Sequence, residues 1–205
     1  MLGAEGVARA LVYRIQARFP AKLAEIRTRL AVDAAELPEL NAIYPHEINL
    51  RAVNAYPCMS VVEYETTGRI GNRQMDSDGD YDEYSYRYRM RVFIWGMGTD
   101  HVGTDLLRKR LTLAAREVLL NDKIFYDQGG QYAELDPATL KESFSDVGDV
   151  ADNQFLGGAY LEFEVVTQET LKAYQGRVSD DPATIIPELG AVGEGDTHPV
   201  PQPEP

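Results

Sequence analysis

A strand that leads almost directly into a helix constrains this chain more than any other stretch. Over residues 84–95 tyrosines and aliphatic residues alternate with arginines. A period of two predicts a strand with one buried and one solvated face. After residues 96–99, apolar side chains recur at helical spacing through residues 100–120, which leaves Arg108 and Thr112 on the polar side. We therefore expect this strand and this helix to pack against each other.

The connection between the two elements contains Gly96-x-Gly98, the beginning of a dinucleotide-binding fingerprint. However, His101 stands where the third glycine belongs, and the preceding strand carries arginines instead of the apolar run of a doubly wound sheet. The pattern favours a plain strand-to-helix turn with Thr99 as the helix N-cap. The histidines and Cys58 have no metal-ligand spacing, so we expect no metal, no cofactor and no catalytic residues.

The remaining patterns predict an α+β domain over residues 1–175, with a mostly antiparallel β-sheet packed against helices. Pro20 either opens a second helical segment after an N-terminal helix or kinks a single one, and both alternatives stay open. Residues 33–57 are expected to form an irregular surface connection. The predicted strands besides the central one are residues 58–65, a short segment at 123–126, and an antiparallel hairpin of residues 139–147 and 156–167.

Residues 66–83 are too long for a tight hairpin connection and are strongly acidic, so they predict a mobile anionic loop. The alternating aspartates resemble the start of a calcium loop, but Tyr81 occupies its glycine position and Arg87 the place of its closing glutamate. A solvated acidic loop is therefore favoured. Its carboxylates are those of Asp76, Asp78, Asp80, Asp82 and Glu83.

Charge and composition narrow the possible partners. The formal net charge is -13, with 33 acidic and 20 basic residues, which argues against a general nucleic-acid binder. A single cysteine and the lack of a long apolar run favour folding in a reducing cytoplasm without a membrane span. Residues 176–205 are rich in proline and acids, and we expect them to form an extended or disordered tail.

The arginines of the central strand require anionic partners. Glu162 and Glu164 on the last predicted strand have the matching period, so cross-strand ion pairs are expected. Tyrosine and arginine are also enriched at the tightest parts of protein interfaces. As a hypothesis, the subunit interface comprises Tyr84, Tyr86, Arg87, Arg89, Arg91, Glu162 and Glu164.

The order of elements, together with RVFIW at residues 91–95 followed by LLRKRL at residues 106–111, resembles the tail terminator proteins of long-tailed bacteriophages. These are also called tail completion or head–tail joining proteins. The resemblance covers residues 3–170. It implies a structural virion protein and not an enzyme.

The resemblance further implies a homo-oligomer, a six-fold ring at the tail neck, assembled in the host cytoplasm. Such a ring caps the tail tube protein, ends tube polymerisation, joins the head-completion or connector protein, and lets DNA pass without specific binding. The acidic loop is placed, as a hypothesis, in the channel of the ring. The alternatives are another neck or tail-tube ring subunit, a small-ligand-binding α+β enzyme, or a host-side adaptor.

Overall fold

Two helices pack on one face of a six-stranded sheet, which confirms the predicted α+β class. The computed structural model describes residues 3–50, 52–53, 55–76, 79–126, 132–150 and 153–172. The predicted tail at residues 176–205 lies outside the described residues. The elements in chain order are α1 (Gly3–Leu30), β1 (Ala42–Tyr44), β2 (Cys58–Asp76), β3 (Gly79–Gly98), α2 (His101–Asn121), β4 (Ile124–Tyr126), β5 (Tyr132–Asp149) and β6 (Phe155–Lys172).

The sheet has the strand order β1-β2-β3-β6-β5-β4, so the strand predicted to be central lies in its interior. Every neighbouring pair is antiparallel except β1 and β2, which are parallel. The predicted closing hairpin is confirmed by the pairing of β5 with β6, and both of its strands are longer than the alternation indicated. Strand β3 contributes to the sheet along its whole length, because β2 and β6 flank it on either side.

The core lies between the helices and the face of β3 that carries Tyr88, Met90, Val92 and Ile94, all of which are buried. Helix α2 reaches this face closely at its N-terminal end. A Cβ atom added at Gly96 would lie 3.2 Å from the Leu107 side chain, a tight contact that shows how closely the strand and the helix approach here. The largest fully buried side chains are Phe19, Phe163, Leu11, Ile15, Leu23, Ile26, Leu37, Met59, Met90, Ile94, Leu111 and Leu119.

The acidic stretch is not the loop that the sequence predicted. Residues 66–76 continue β2 and residues 79–83 begin β3, with Asp76 opposite Gly79 and Met75 opposite Asp80. The predicted loop residue Asp78 lies outside the described residues. The aspartates and glycines argued against strand locally, but register with β3 overrides such weak local preferences.

The structure also decides one alternative that the sequence left open and corrects two smaller expectations. Helix α1 is continuous with Pro20 inside it, so the single-helix alternative holds. The surface connection contains the unpredicted strand β1, whose backbone pairs with the beginning of β2. Asp100 caps α2 in place of Thr99, because its carboxylate accepts a hydrogen bond from the Gly103 backbone N–H at 2.7 Å.

Two residues assigned to the polar side of α2 are buried instead. The Arg108 guanidinium donates hydrogen bonds to the backbone carbonyls of Ser145 and Gly158 and to the carboxylate of Asp105. The Thr112 hydroxyl donates to the backbone carbonyl of Arg108 at 2.7 Å. Helical periodicity misplaced both residues because their polar atoms find partners inside the fold.

Candidate functional site

The arginines predicted to be paired form an ordered ladder on the sheet face opposite the helices, here called the outer face. Arg87 donates to Glu164 at 2.9 Å, and Arg89 contacts the same carboxylate at 3.2 Å. Arg91 donates to Glu162 at 2.9 Å, directly across the strands. The predicted cross-strand ion pairs are therefore confirmed.

Hydrogen bonds from neighbouring side chains lower the pKa of both carboxylates of the ladder. The hydrogen bond from Arg87 is the main cause that lowers the pKa of Glu164. At Glu162 burial acts to raise the pKa, but hydrogen bonds from Tyr64 and Arg91 outweigh it and the pKa is lowered. The arginine side chains stay about one third to one half exposed, so solvent screens these pairs. Their carboxylate partners come from the same chain, and their charge alone does not require a second subunit.

An aromatic cluster extends the ladder toward the end of β3. The Arg91 guanidinium lies 4.1 Å from the Tyr64 ring centroid and 5.2 Å from that of Tyr160. Phe93 then contacts Tyr160, with centroids 5.6 Å apart, and stacks on Trp95 at 6.4 Å. The sequence hypothesis omitted these aromatic residues, although alternation from Arg91 already places residues 93 and 95 on the arginine side.

The hypothetical interface residues belong to two different surfaces. Tyr84 and Tyr86 lie on the helix side of β3, where Tyr86 stacks between Tyr84 and the buried Tyr88 with centroids 6.0 Å apart on each side. The arginines lie on the opposite face. One flat contact cannot use both sets, because adjacent residues of a strand point to opposite sides of the sheet.

A buried carboxylate joins the tyrosine row to the beginning of α1. Glu169 is 3% exposed, and its Oε1 atom accepts hydrogen bonds from the Tyr88 hydroxyl at 2.9 Å and from the Gly3 backbone N–H at 3.2 Å. The Thr167 hydroxyl donates to the same atom at 3.3 Å. A negative charge is favourable at the N-terminus of a helix. Nothing in the local pattern of β6 indicated this arrangement.

Four of the five predicted channel residues lie in what we call the arm, residues 70–76 of β2 and 79–83 of β3, and Asp78 lies outside the described residues. Asp76, Asp80, Asp82 and Glu83 occupy its strands, where Asp82 is opposite residue 73 of β2 and residue 171 of β6. The β3 part of the arm ends directly before Tyr84, which lies opposite Glu169 in the sheet. The acidic residues are therefore brought to one end of the sheet.

Two clefts lie on the surface of the described structure. One, of about 320 Å³, lies on the outer face between Tyr64, Arg89 and Glu162. Another, of about 480 Å³, lies between the helices beside Lys22 and Asp122. Among the described residues, no three His, Cys, Asp or Glu side chains are grouped to hold a metal ion. Neither helix has the length and apolar character needed to span a membrane.

Comparison with protein-family models and with curated proteins finds no match to this chain. The glycine pair between β3 and α2 has a structural role. A Cβ atom at Gly98 would lie 2.6 Å from the Thr104 hydroxyl oxygen, so both glycines permit the close approach of strand and helix. This geometry agrees with the plain strand-to-helix turn that the sequence favoured.

Proposed function

We propose that this protein is a structural subunit that assembles with copies of itself into a ring at the neck of a long-tailed bacteriophage, like the tail terminator proteins that it resembles. In this role the ring caps the tail tube, ends its polymerisation and offers a docking surface to the head connector. The single structural observation that supports the proposal is the arm, because it extends the sheet beyond the helices.

The N-terminus of α1 marks how far the helical layer reaches. The Gly3 backbone N–H bonds to Glu169, which lies opposite Tyr84 in the sheet. Beyond Tyr84 the strand β3 continues through five residues of the arm, about 17 Å at 3.4 Å per residue. Near its tip the arm consists of β2 and β3 alone among the described strands. A two-stranded ribbon is marginally stable in water, so neighbouring subunits would supply the contacts it lacks.

The charge of the arm agrees with a place beside passing DNA. Residues 70–83 contain five acidic residues and one basic residue, Arg73. Carboxylates repeated around a ring would repel the phosphate backbone over about one Debye length, roughly 8 to 10 Å at physiological salt. We therefore place the arm in the channel, where it would keep DNA from adhering during passage.

The ring itself is tested by measuring mass and shape. Native mass spectrometry of the full chain is expected to give a species six times the 22.9 kDa subunit, and electron microscopy a closed ring with a central hole. Mixed with tail tubes, the protein should appear at tube ends only. Addition along the tube would instead favour a tube subunit. If neither the free protein nor the mixture contains rings, the proposal is wrong.

The channel placement is tested by reversing the charge of the arm. Replacing Asp76, Asp78, Asp80 and Asp82 by lysine should leave ring assembly intact and slow or stall genome ejection, because lysines would bind the phosphates. A matched control replaces Glu5, Glu25, Glu36 and Glu47 by lysine, since these four acidic residues are exposed and lie outside both the arm and the sheet edges. Normal ejection from virions that contain the arm variant would refute the channel placement.

A further inference from the structure

The outermost strands of the sheet, β1 and β4, are short. Most of the outer edge of each adjacent strand therefore has no pairing partner among the described residues. Strand β1 pairs only with residues 58–60 of β2, and β4 pairs only with residues 132–134 of β5. From residue 61 of β2 and residue 136 of β5, the outer backbone groups face no strand in the described part of the chain. Free N–H and C=O groups along such edges can pair with another chain.

Each free edge contains several regular stretches of ladder to its inner neighbour, and the longest one offers the most backbone groups in register. Residues 65–70 of β2 pair without interruption with β3, and residues 141–144 of β5 pair without interruption with β6. The irregular positions, and Pro137 with them, fall outside these two stretches. A regular strand presents its backbone groups at the spacing that an added strand requires, whereas bulges and proline disturb it.

The directions of the two edges suit each other. Strands β2 and β6 both run antiparallel to β3, and β5 runs antiparallel to β6. Strands β2 and β5 therefore run in opposite directions at the two sides of the sheet. When copies repeat head to tail around a ring, β5 of one copy meets β2 of the next in antiparallel orientation. A two-fold pairing of β2 with β2 would leave the β5 edge open.

The offset between the edges fits a closed ring. Residues 65–70 lie opposite residues 84–89 of β3, whereas residues 141–144 lie level with residues 91–94. The midpoints differ by about six residues, or about 20 Å along the strands. The repeat from β2 to the next β2 is four strand spacings, about 19 Å. Pairing would therefore tilt the strands by about 45° from the ring axis, close to the tilt of closed sheets.

We propose that residues 65–70 of β2 in one subunit pair with residues 141–144 of β5 in the next. The occupant of each edge is thus a second copy of this chain. This inference rests on the proposed ring and specifies the contact through which the ring closes.

The test blocks each edge separately with proline. Successive strand residues direct their N–H groups to opposite sides, so one of T66P and T67P disturbs the β3 ladder and the other affects only the free edge. The same holds for E142P and S143P in β5. In each pair, the variant with the higher thermal midpoint, measured at a concentration at which the wild type is monomeric, is the edge variant. Both are measured in the full chain by native mass spectrometry, alone and mixed.

Each edge variant alone should be monomeric at concentrations where the wild type assembles. Their equimolar mixture should give dimers with one copy of each, because every pair then retains one intact β5 edge and one intact β2 edge. Assembly of either variant alone would overturn the pairing. If only the β2 variant fails to assemble and the β5 variant still assembles, the contact is a two-fold pairing of β2 with β2.

The result also separates this inference from the proposed function. If the wild type forms rings and both edge variants still form them, the edge pairing is refuted and the ring function stands. Open filaments that depend on both edges would refute the closed ring and support the pairing. A wild-type chain that is monomeric at every concentration, with and without tail tubes, refutes both.

Discussion

Replacing Tyr88 by phenylalanine tests whether the buried Glu169 carboxylate depends on the phenol. The tyrosine ring is 4% exposed and the carboxylate 3% exposed, and the hydroxyl donates to Oε1 at 2.9 Å. Burial, followed by the hydrogen bond to Glu169, raises the pKa of Tyr88, so the phenol stays protonated and remains a donor. Phenylalanine keeps the ring and its packing and removes only the O–H group.

The expected magnitude follows from the charge and burial of the acceptor. A hydrogen bond to a charged group contributes about 1.5 to 3 kcal/mol. The Gly3 and Thr167 donors to Oε1 remain in the variant, so no further cost of an unsatisfied acceptor is added. For a domain of this size, about 1 kcal/mol corresponds to a shift of roughly 2 to 4 °C in the thermal midpoint. We therefore expect Y88F to lower the midpoint by roughly 3 to 12 °C.

Calorimetry and urea unfolding at pH 7 measure this effect. The matched control is Y13F, because the Tyr13 side chain is 74% exposed. A double-mutant cycle with E169Q isolates the coupling between phenol and carboxylate. The reasoning is refuted if Y88F and Y13F have the same free energy of unfolding within about 0.5 kcal/mol, the range of ordinary surface substitutions.

Three further predictions concern packing, capping and acid stability. G158A should destabilise by about 1 to 3 kcal/mol in urea unfolding because its Cβ atom would overlap an indole ring, whereas G148A, with open space, should change little. D100A should cost about 1 kcal/mol through the lost N-cap, and an equal loss in T99A would contradict the assigned cap. Arginine hydrogen bonds lower the pKa of Glu164 from about 4.5, so their stabilisation should be present above that pH and be lost as pH falls further. Unfolding midpoints from pH 7 to pH 3 should therefore fall less steeply in E164Q than in the wild type.

The sequence by itself determined the parts of this protein that depend on local side-chain direction. Alternation in residues 84–95 placed β3 in the sheet and separated its tyrosines from its arginines, because a strand turns successive side chains to opposite faces. The same period in residues 162 and 164 predicted the acidic partners of the arginines. Helical spacing likewise identified α2, since six of its nine buried residues are the apolar residues of that pattern.

Only the tertiary structure decided the features that depend on distant partners. The acidic stretch became the arm because β2 and β3 pair along their length, which no local preference of aspartate or glycine indicates. Arg108 is buried because carbonyls of β5 and β6 accept its hydrogen bonds, and Glu169 because Tyr88 and the beginning of α1 donate to it. Arg108 and Glu169 lie in the interior because the fold supplies their hydrogen-bond partners from distant parts of the chain. The local sequence pattern around each residue does not contain that information.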